Sequence, residues 1–209
     1  CRMSKYFHQC QFLTSAAHLS QLPDDCGAEV AFVGRSNAGK SSALNALAGI
    51  KQLARVSNTP GRTQLINLFE VSHDQRLVDL PGYGFAKVPV AVKERWQATL
   101  AKYLETRECL QGLVLLMDVR HPLKPLDLNF LNWSAAVNLP VHILLTKADK
   151  LSRQNATQSL QLVLRSLPEY HPLATAQLFS ATHHVGIDQA AKQVLTWLGT
   201  KHALTMGEE

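Results

Sequence analysis

The chain has 209 residues and a mass of 23.1 kDa, enough for one compact domain and too little for a second full catalytic one. Hydrophobic residues make up 46% and charged residues 18%, which supports a sizeable core and excludes extensive disorder. The apolar runs Leu113 to Met117 and Val141 to Leu145 fall far short of the ~20 residues that a membrane helix needs. A net charge of +5 favours a polyanionic partner only weakly, since a solvated basic surface gives the same balance. Four cysteines without CxxC spacing, and no signal-peptide pattern, lead to the expectation of a reduced, cytoplasmic setting.

Residues 1–27 are of mixed polarity and are expected to add a strand or wrap the core. From residue 28 to about 204, short apolar runs alternate with helical patterns, the order of an α/β protein with helices on both faces of a mostly parallel sheet. The strand Glu29 to Val33 runs directly into Gly34-Arg35-Ser36-Asn37-Ala38-Gly39-Lys40-Ser41 and a helix from Ser42 to Leu47. Every fixed position of G-x-x-x-x-G-K-[ST] is present in its strand, loop, helix setting. Its glycines let successive N–H groups curl inward at phosphate oxygens, and the new helix adds its positive end. Lys40 is expected at the β- and γ-phosphates, and the Ser41 hydroxyl on Mg²⁺. A dinucleotide loop is excluded, because neither its glycine spacing nor an acid at Gln52 to Arg55 is present.

The runs Gln64 to Val71 and Arg76 to Leu80, joined by Ser72-His73-Asp74, predict an antiparallel edge hairpin. Asp79-Leu80-Pro81-Gly82 closes it. There a carboxylate can hold Mg²⁺ through a water and the Gly82 amide can meet the γ-phosphate. Val92, Trp96, Leu100, Tyr103 and Leu104 stripe one face of a helix and read as core. A strand from Leu113 to Asp118 follows, with Asp118 read as structural, then a helix from Lys124 to Val137 opening around Pro125.

Thr146-Lys147-Ala148-Asp149 ends the strand Val141 to Thr146. A carboxylate at Asp149 can accept from N1–H and the 2-amino group of guanine, where adenine offers an acceptor and a C–H. Such a site can reject the wrong base by about 10⁴-fold. Lys147 would lie along the base and tie back to the phosphate loop. A helix from Ser152 to Leu167, a strand from Gln177 to Ser180 and a helix from Ile187 to Leu204 complete the pattern, and the tail 205–209 is expected to fray. At Ser180-Ala181 the Ala181 amide can donate to guanine O6. Six strands in all are expected, with one antiparallel at the edge.

In this order the motifs resemble the translation-factor-related P-loop GTPases over residues 28–204. Asn58-Thr59-Pro60-Gly61-Arg62-Thr63 and Asp79-Leu80-Pro81-Gly82-Tyr83-Gly84-Phe85-Ala86 resemble most closely the EngB (YihA/YsxC) family of bacterial ribosome-biogenesis GTPases. The resemblance implies a three-layer P-loop NTPase (Ras-like GTPase) fold. It further implies a GTP- and GDP-binding switch in assembly of the large ribosomal subunit and in normal cell division and septation. The expected partner is that subunit or its precursor, with rRNA and ribosomal proteins, and the expected state is a monomer. Within Val56 to Thr63, Thr63 is the candidate that completes Mg²⁺ coordination and senses the γ-phosphate, with Thr59 as rival. Catalysis would rest on Lys40, Thr63, Mg²⁺ and backbone amides such as that of Gly82. Tyr83 stands where regulatory GTPases carry a water-orienting glutamine, so slow intrinsic turnover is expected. Related GTPases with asparagine at the Asn37 position bind K⁺, which makes K⁺ a second candidate ion.

Two other classes stay open: a nucleotide-gated RNA- or protein-binding module with incidental hydrolysis, and a nucleotide kinase or ATPase on the same loop. Lys51, Arg55, Arg62, Lys87, Lys93 and Arg95 would contact RNA phosphates or form a solvated face. His183 and His184 lack companions at metal-ligand spacing and read as surface residues.

Overall fold

In a computed structural model the described residues are 4–48, 65–84 and 89–199. The elements in chain order are β1 (Gln11–Ala16), β2 (Ala28–Gly34), α1 (Lys40–Ala48), β3 (Ile66–Ser72), β4 (Gln75–Asp79), α2 (Val90–Thr106), β5 (Leu110–Asp118), α3 (Pro125–Ala136), β6 (Val141–Thr146), α4 (Arg153–Tyr170), β7 (Ala174–Leu178) and α5 (Ile187–Trp197). Short 3-10 turns cover Ser4–Gln9, Leu19–Gln21 and Ala148–Lys150.

The sheet is mostly parallel, as expected, but among the described residues it has seven strands, in the order β1-β3-β4-β2-β5-β6-β7. The seventh comes from the first 27 residues: β1 pairs antiparallel with β3, Gln11 opposite Glu70 and Ala16 opposite Ile66. The antiparallel strand β3 is therefore flanked on both sides and is not at the edge. β1 was hard to read because Phe12 is 53% and Leu13 42% exposed, so its apolar residues do not mark a buried face. β7 begins earlier than the expected Gln177, since Ala174 to Leu178 pairs with Val141 to Leu145. Helix α4 runs through Pro168 to Tyr170, beyond the expected Leu167. A proline in the last turn removes one donor without ending the helix there.

Strand alternation sorts the core into two layers. Ala31, Val33, Leu113, Leu115, Met117, Val141, Ile143 and Leu145 face Leu100 and Tyr103 of α2, Phe130 and Leu131 of α3, and Val163 and Leu167 of α4. Val30, Phe32, Val114, Leu116 and Leu144 face Leu44 and Leu47 of α1, Val194 and Leu195 of α5, and Phe7. Among the described residues, two helices on one face and three on the other make the three layers.

At the amino-terminal end of the parallel strands, Glu29 is fully buried. Its carboxylate accepts from Arg76 Nε at 2.8 Å, from Arg107 Nε and Nη2 at 2.9 Å each, and from Tyr103 Oη at 3.1 Å. Burial pushes the Glu29 carboxyl up, but the two guanidiniums outweigh it and leave it below its ordinary value.

Candidate functional site

The opposite end, where β2, β4, β5 and β6 terminate, gathers the sequence motifs, as open α/β sheets do. After β2 the chain bends through Asn37 (φ 67°) and Gly39 (φ +86°), and α1 opens at Lys40. A side chain on Gly39 would be strained by that φ, which explains the glycine. Lys40 and Ser41 thus occupy the first turn, where backbone N–H groups have no helical acceptors.

The ε-amino group of Lys40 donates to Asp79 Oδ1 at the end of β4. Asp79 is 1% exposed and its Oδ2 has no partner among the described residues. A buried carboxylate oxygen without a donor is costly. Its chemistry fits a divalent cation or that ion's water, with the Ser41 hydroxyl at the head of the facing helix as a further oxygen ligand. Gly82 lies against the phosphate loop: a Cβ there would be 3.5 Å from both Gly34 O and Ser36 N.

On the base side, the Thr146 hydroxyl donates to Ala38 O at 2.5 Å, and the Lys147 amine donates to Asn37 O at 2.6 Å. The expected tie from Lys147 to the phosphate loop is therefore present. Lys147 Nζ is also 3.6 Å from Asp118 Oδ2, while Arg120 clamps Asp118 with two bonds of 3.0 and 2.8 Å. Arg120 holds the Asp118 carboxyl down at about 2 despite partial burial.

Asp149 Oδ1 accepts from Ser180 Oγ at 2.7 Å, and His183 Nδ1 stands 3.6 Å from Oδ2. The Ser180 bond is the main reason the Asp149 carboxyl lies below its usual range. A cavity of about 200 Å³ here is lined by Gly39, Ser42, Thr146, Lys147, Asp149, Phe179, Ala181 and Thr182. Ser180 is not in β7, which ends at Leu178, but exchanges two main-chain bonds of 3.0 Å with Val185 and so closes a loop over that cavity.

The chain matches the family model described as "50S ribosome-binding GTPase" over residues 29–147. It is 51% identical over 191 residues to the probable GTP-binding protein EngB of Coxiella burnetii, covering 91% of this chain and 93% of that protein. The corresponding protein of Haemophilus influenzae is 52% identical with the same coverage. This chain belongs to the EngB family of GTPases. A crystal structure of a probable GTP-binding protein engB shares the fold, with a TM-score of 0.66 at 22% identity, covering 83% of this chain and 100% of that one. Era of Aquifex aeolicus, bound to GDP and AlF4⁻, aligns with a TM-score of 0.61 at 23% identity, covering 81% of this chain and 56% of that one.

As a member of the EngB family the chain is a GTP-hydrolysing enzyme that binds GTP and GDP. Tyr83, in the glutamine position, is buried: its ring stacks on Phe130 at 4.8 Å and 18°, and its hydroxyl donates to Asp127 Oδ1. Burial first, then the Asp127 carboxylate, pushes the Tyr83 phenol well up. Its main chain also joins the phosphate loop, Ser36 N–H to Tyr83 O at 2.7 Å and Tyr83 N–H to Gly34 O at 3.2 Å. Asp127 escaped the sequence reading. The signal was its place three residues after Lys124, whose main-chain N–H it caps at 2.9 Å. The Arg35 side chain lies beside Gly84, where a Cβ would come within 3.3 Å of its Nε. Thr63, Thr59, the Val56 to Thr63 loop, Phe85, Ala86, Lys51, Arg55, Arg62, Lys87 and the tail 205–209 lie outside the described residues. Among those that are described, no group of three potential metal-ligating side chains occurs and no helix is long and apolar enough to cross a membrane.

Proposed function

We propose that the chain is a Mg²⁺-dependent switch whose hydrolysis of GTP to GDP and phosphate serves assembly of the large ribosomal subunit and, through it, cell division. The observation that carries the nucleotide reading is Asp149, held by Ser180 at the mouth of the cavity that runs from Gly39 to Ala181. Its two oxygens would accept from guanine N1–H and the 2-amino group. The Ala181 N–H would donate to O6 and the Lys147 stem would cover the ring. Thr146 and Lys147 fix the loop Gly34 to Ser42 from behind, so its amides would meet the phosphates without reorganisation.

Ser41, Thr63 and Asp79 would hold Mg²⁺, which when bound neutralises charge on the β- and γ-phosphates. Lys40 would leave Asp79 for the phosphate oxygens, and the Gly82 N–H and Thr63 would attend the γ-phosphate as water attacks phosphorus. The Asn37 side chain is exposed and makes no hydrogen bond among the described residues, which leaves its carbonyl open to K⁺ as added positive charge.

Support for a ribosomal partner comes from the description of the matched family and from the net charge of +5. The chain would act as a cytoplasmic monomer. Tyr83 favours a second reading, a nucleotide-gated RNA- or protein-binding module with incidental hydrolysis, because a ring buried on Phe130 cannot orient water. Co-sedimentation with ribosomal particles in GDP against a non-hydrolysable GTP analogue, over a salt series, tests the switch. Binding is expected only with the analogue, and binding indifferent to nucleotide refutes it. Single-turnover hydrolysis unchanged by ribosomal subunits would decide for the second reading.

A further inference from the structure

Beneath the loop that carries Ala181 runs a polar chain, from the exposed Thr175 through the buried His142 and Gln177, that makes no hydrogen bond to the residues proposed to contact nucleotide. His142 of β6 is 4% exposed and Gln177 of β7 is 2% exposed. The Gln177 side-chain amide donates to the carbonyls of Gly186 at 2.8 Å and Leu178 at 3.1 Å. Turning the amide over would set its oxygen against two carbonyls, so Oε1 must be the acceptor toward His142 Nε2 at 2.8 Å. His142 therefore carries its proton on Nε2, and Nδ1 accepts from the Thr175 hydroxyl at 2.6 Å. Burial lowers the imidazole pKa and favours the neutral ring that this pattern requires.

Every direction in the chain is thus fixed, and its last bond ends on the main chain where the base-side loop meets α5. Gly186 has φ +73°, and a Cβ there would lie 2.3 Å from Leu178 O and 2.5 Å from Gln177 Nε2. Only glycine allows its carbonyl this approach. Gly186 directly follows Val185, whose two bonds to Ser180 close the loop holding Ala181 and Thr182 against the cavity. Polar side chains are costly to bury unless fully bonded, and apolar ones would pack the two strands as well. What the polar set adds is a fixed height for that loop.

We propose that Gln177, oriented by His142, is a positioning residue for the purine: it anchors Gly186 and so sets the Ala181 N–H at the distance guanine O6 requires. The inference rests on the reading of Asp149 and Ala181 given above and extends it to residues that never touch the nucleotide.

Equilibrium binding of GDP and inosine diphosphate with Mg²⁺, alongside thermal melting, tests it on the full chain and on Gln177→Met, His142→Leu and Thr175→Ser. Hypoxanthine keeps O6 and N1–H but lacks the 2-amino group, so the GDP to inosine diphosphate ratio reports Asp149, while both affinities include the O6 contact. Gln177→Met and His142→Leu are expected to weaken both nucleotides about tenfold, one hydrogen bond's worth, with the ratio unchanged. Thr175→Ser, which keeps the hydroxyl, is expected to bind as the parent. A variant that melts lower yet binds both nucleotides normally would reduce the chain to a prop for the fold and overturn the proposal. A shifted ratio would overturn it as well, by placing the effect on Asp149. Absence of any preference for GDP over ADP in the parent would instead mark the Asp149 reading as the failure, and the inference falls with it.

Discussion

Asp149 and Tyr83 show how much a single buried or half-buried polar atom decides. Replacing Asp149 with Asn exchanges an acceptor for a donor at the edge facing the purine. Asp149→Asn is expected to shift preference from guanine to xanthine nucleotides, read as the ratio of dissociation constants for GDP and xanthosine diphosphate; an unchanged ratio would remove Asp149 from base recognition. Tyr83→Phe strands Asp127 Oδ1 without its donor in a site 1% exposed. Loss of a partner there costs about 1–3 kcal/mol, measurable by urea unfolding. Asp127→Asn combined with Tyr83→Phe should cost less than the sum of the single changes, because the two residues share one interaction. At Asn37, turnover in KCl is expected to exceed that in NaCl at equal ionic strength, and equal rates would exclude K⁺ from the reaction.

Among elements, β2 has two characters: its carboxyl end feeds the phosphate loop and its amino end buries Glu29 between Arg76 of β4 and Arg107 after α2. Glu29→Gln leaves two guanidiniums short of a carboxylate, at a cost of about 3–5 kcal/mol. Because the folded Glu29 carboxyl lies below its ordinary value, its contribution is present above about pH 4.3 and fades as pH falls through the folded value. The acid limb of the stability profile is therefore expected to flatten in Glu29→Gln, and an unaltered limb would contradict this. Near-continuous apolar runs such as Val141 to Leu145 name buried strands directly, and the phosphate loop is a local pattern with its strand and helix attached. β7 is present but starts three residues before the expected Gln177, because Ala174-Thr175-Ala176-Gln177 has neither an apolar run nor a clear alternation to mark its beginning. The first 27 residues do supply the expected extra strand, but the outward Phe12 and Leu13 of β1 conceal where it lies. Asp127 and Gln177 matter through partners that the fold supplies, Tyr83 from 44 residues away and His142 from 35, and no local pattern encodes such a meeting.

At the scale of the molecule, the sheet separates its two ends. The proposed nucleotide residues sit where β2, β4 and β6 finish, and the Glu29 network sits where β2 and β4 begin. Ligand binding adds to stability by mass action, about 2.7 kcal/mol at a hundredfold excess over the dissociation constant. GDP with Mg²⁺ is therefore expected to raise the melting temperature of Glu29→Gln and of the parent alike, while Asp149→Asn should gain less from the same GDP concentration; a Glu29 variant that GDP cannot stabilise would show that the two ends are coupled. The placement of β1 has a mechanical result. β3 is stitched along both flanks, to β1 by Gln11 to Ala16 and to β4 by Gln75 to Asp79. A slide of this ribbon by two residues would have to unzip both seams together, so the second seam doubles the number of main-chain pairings that oppose such a slide.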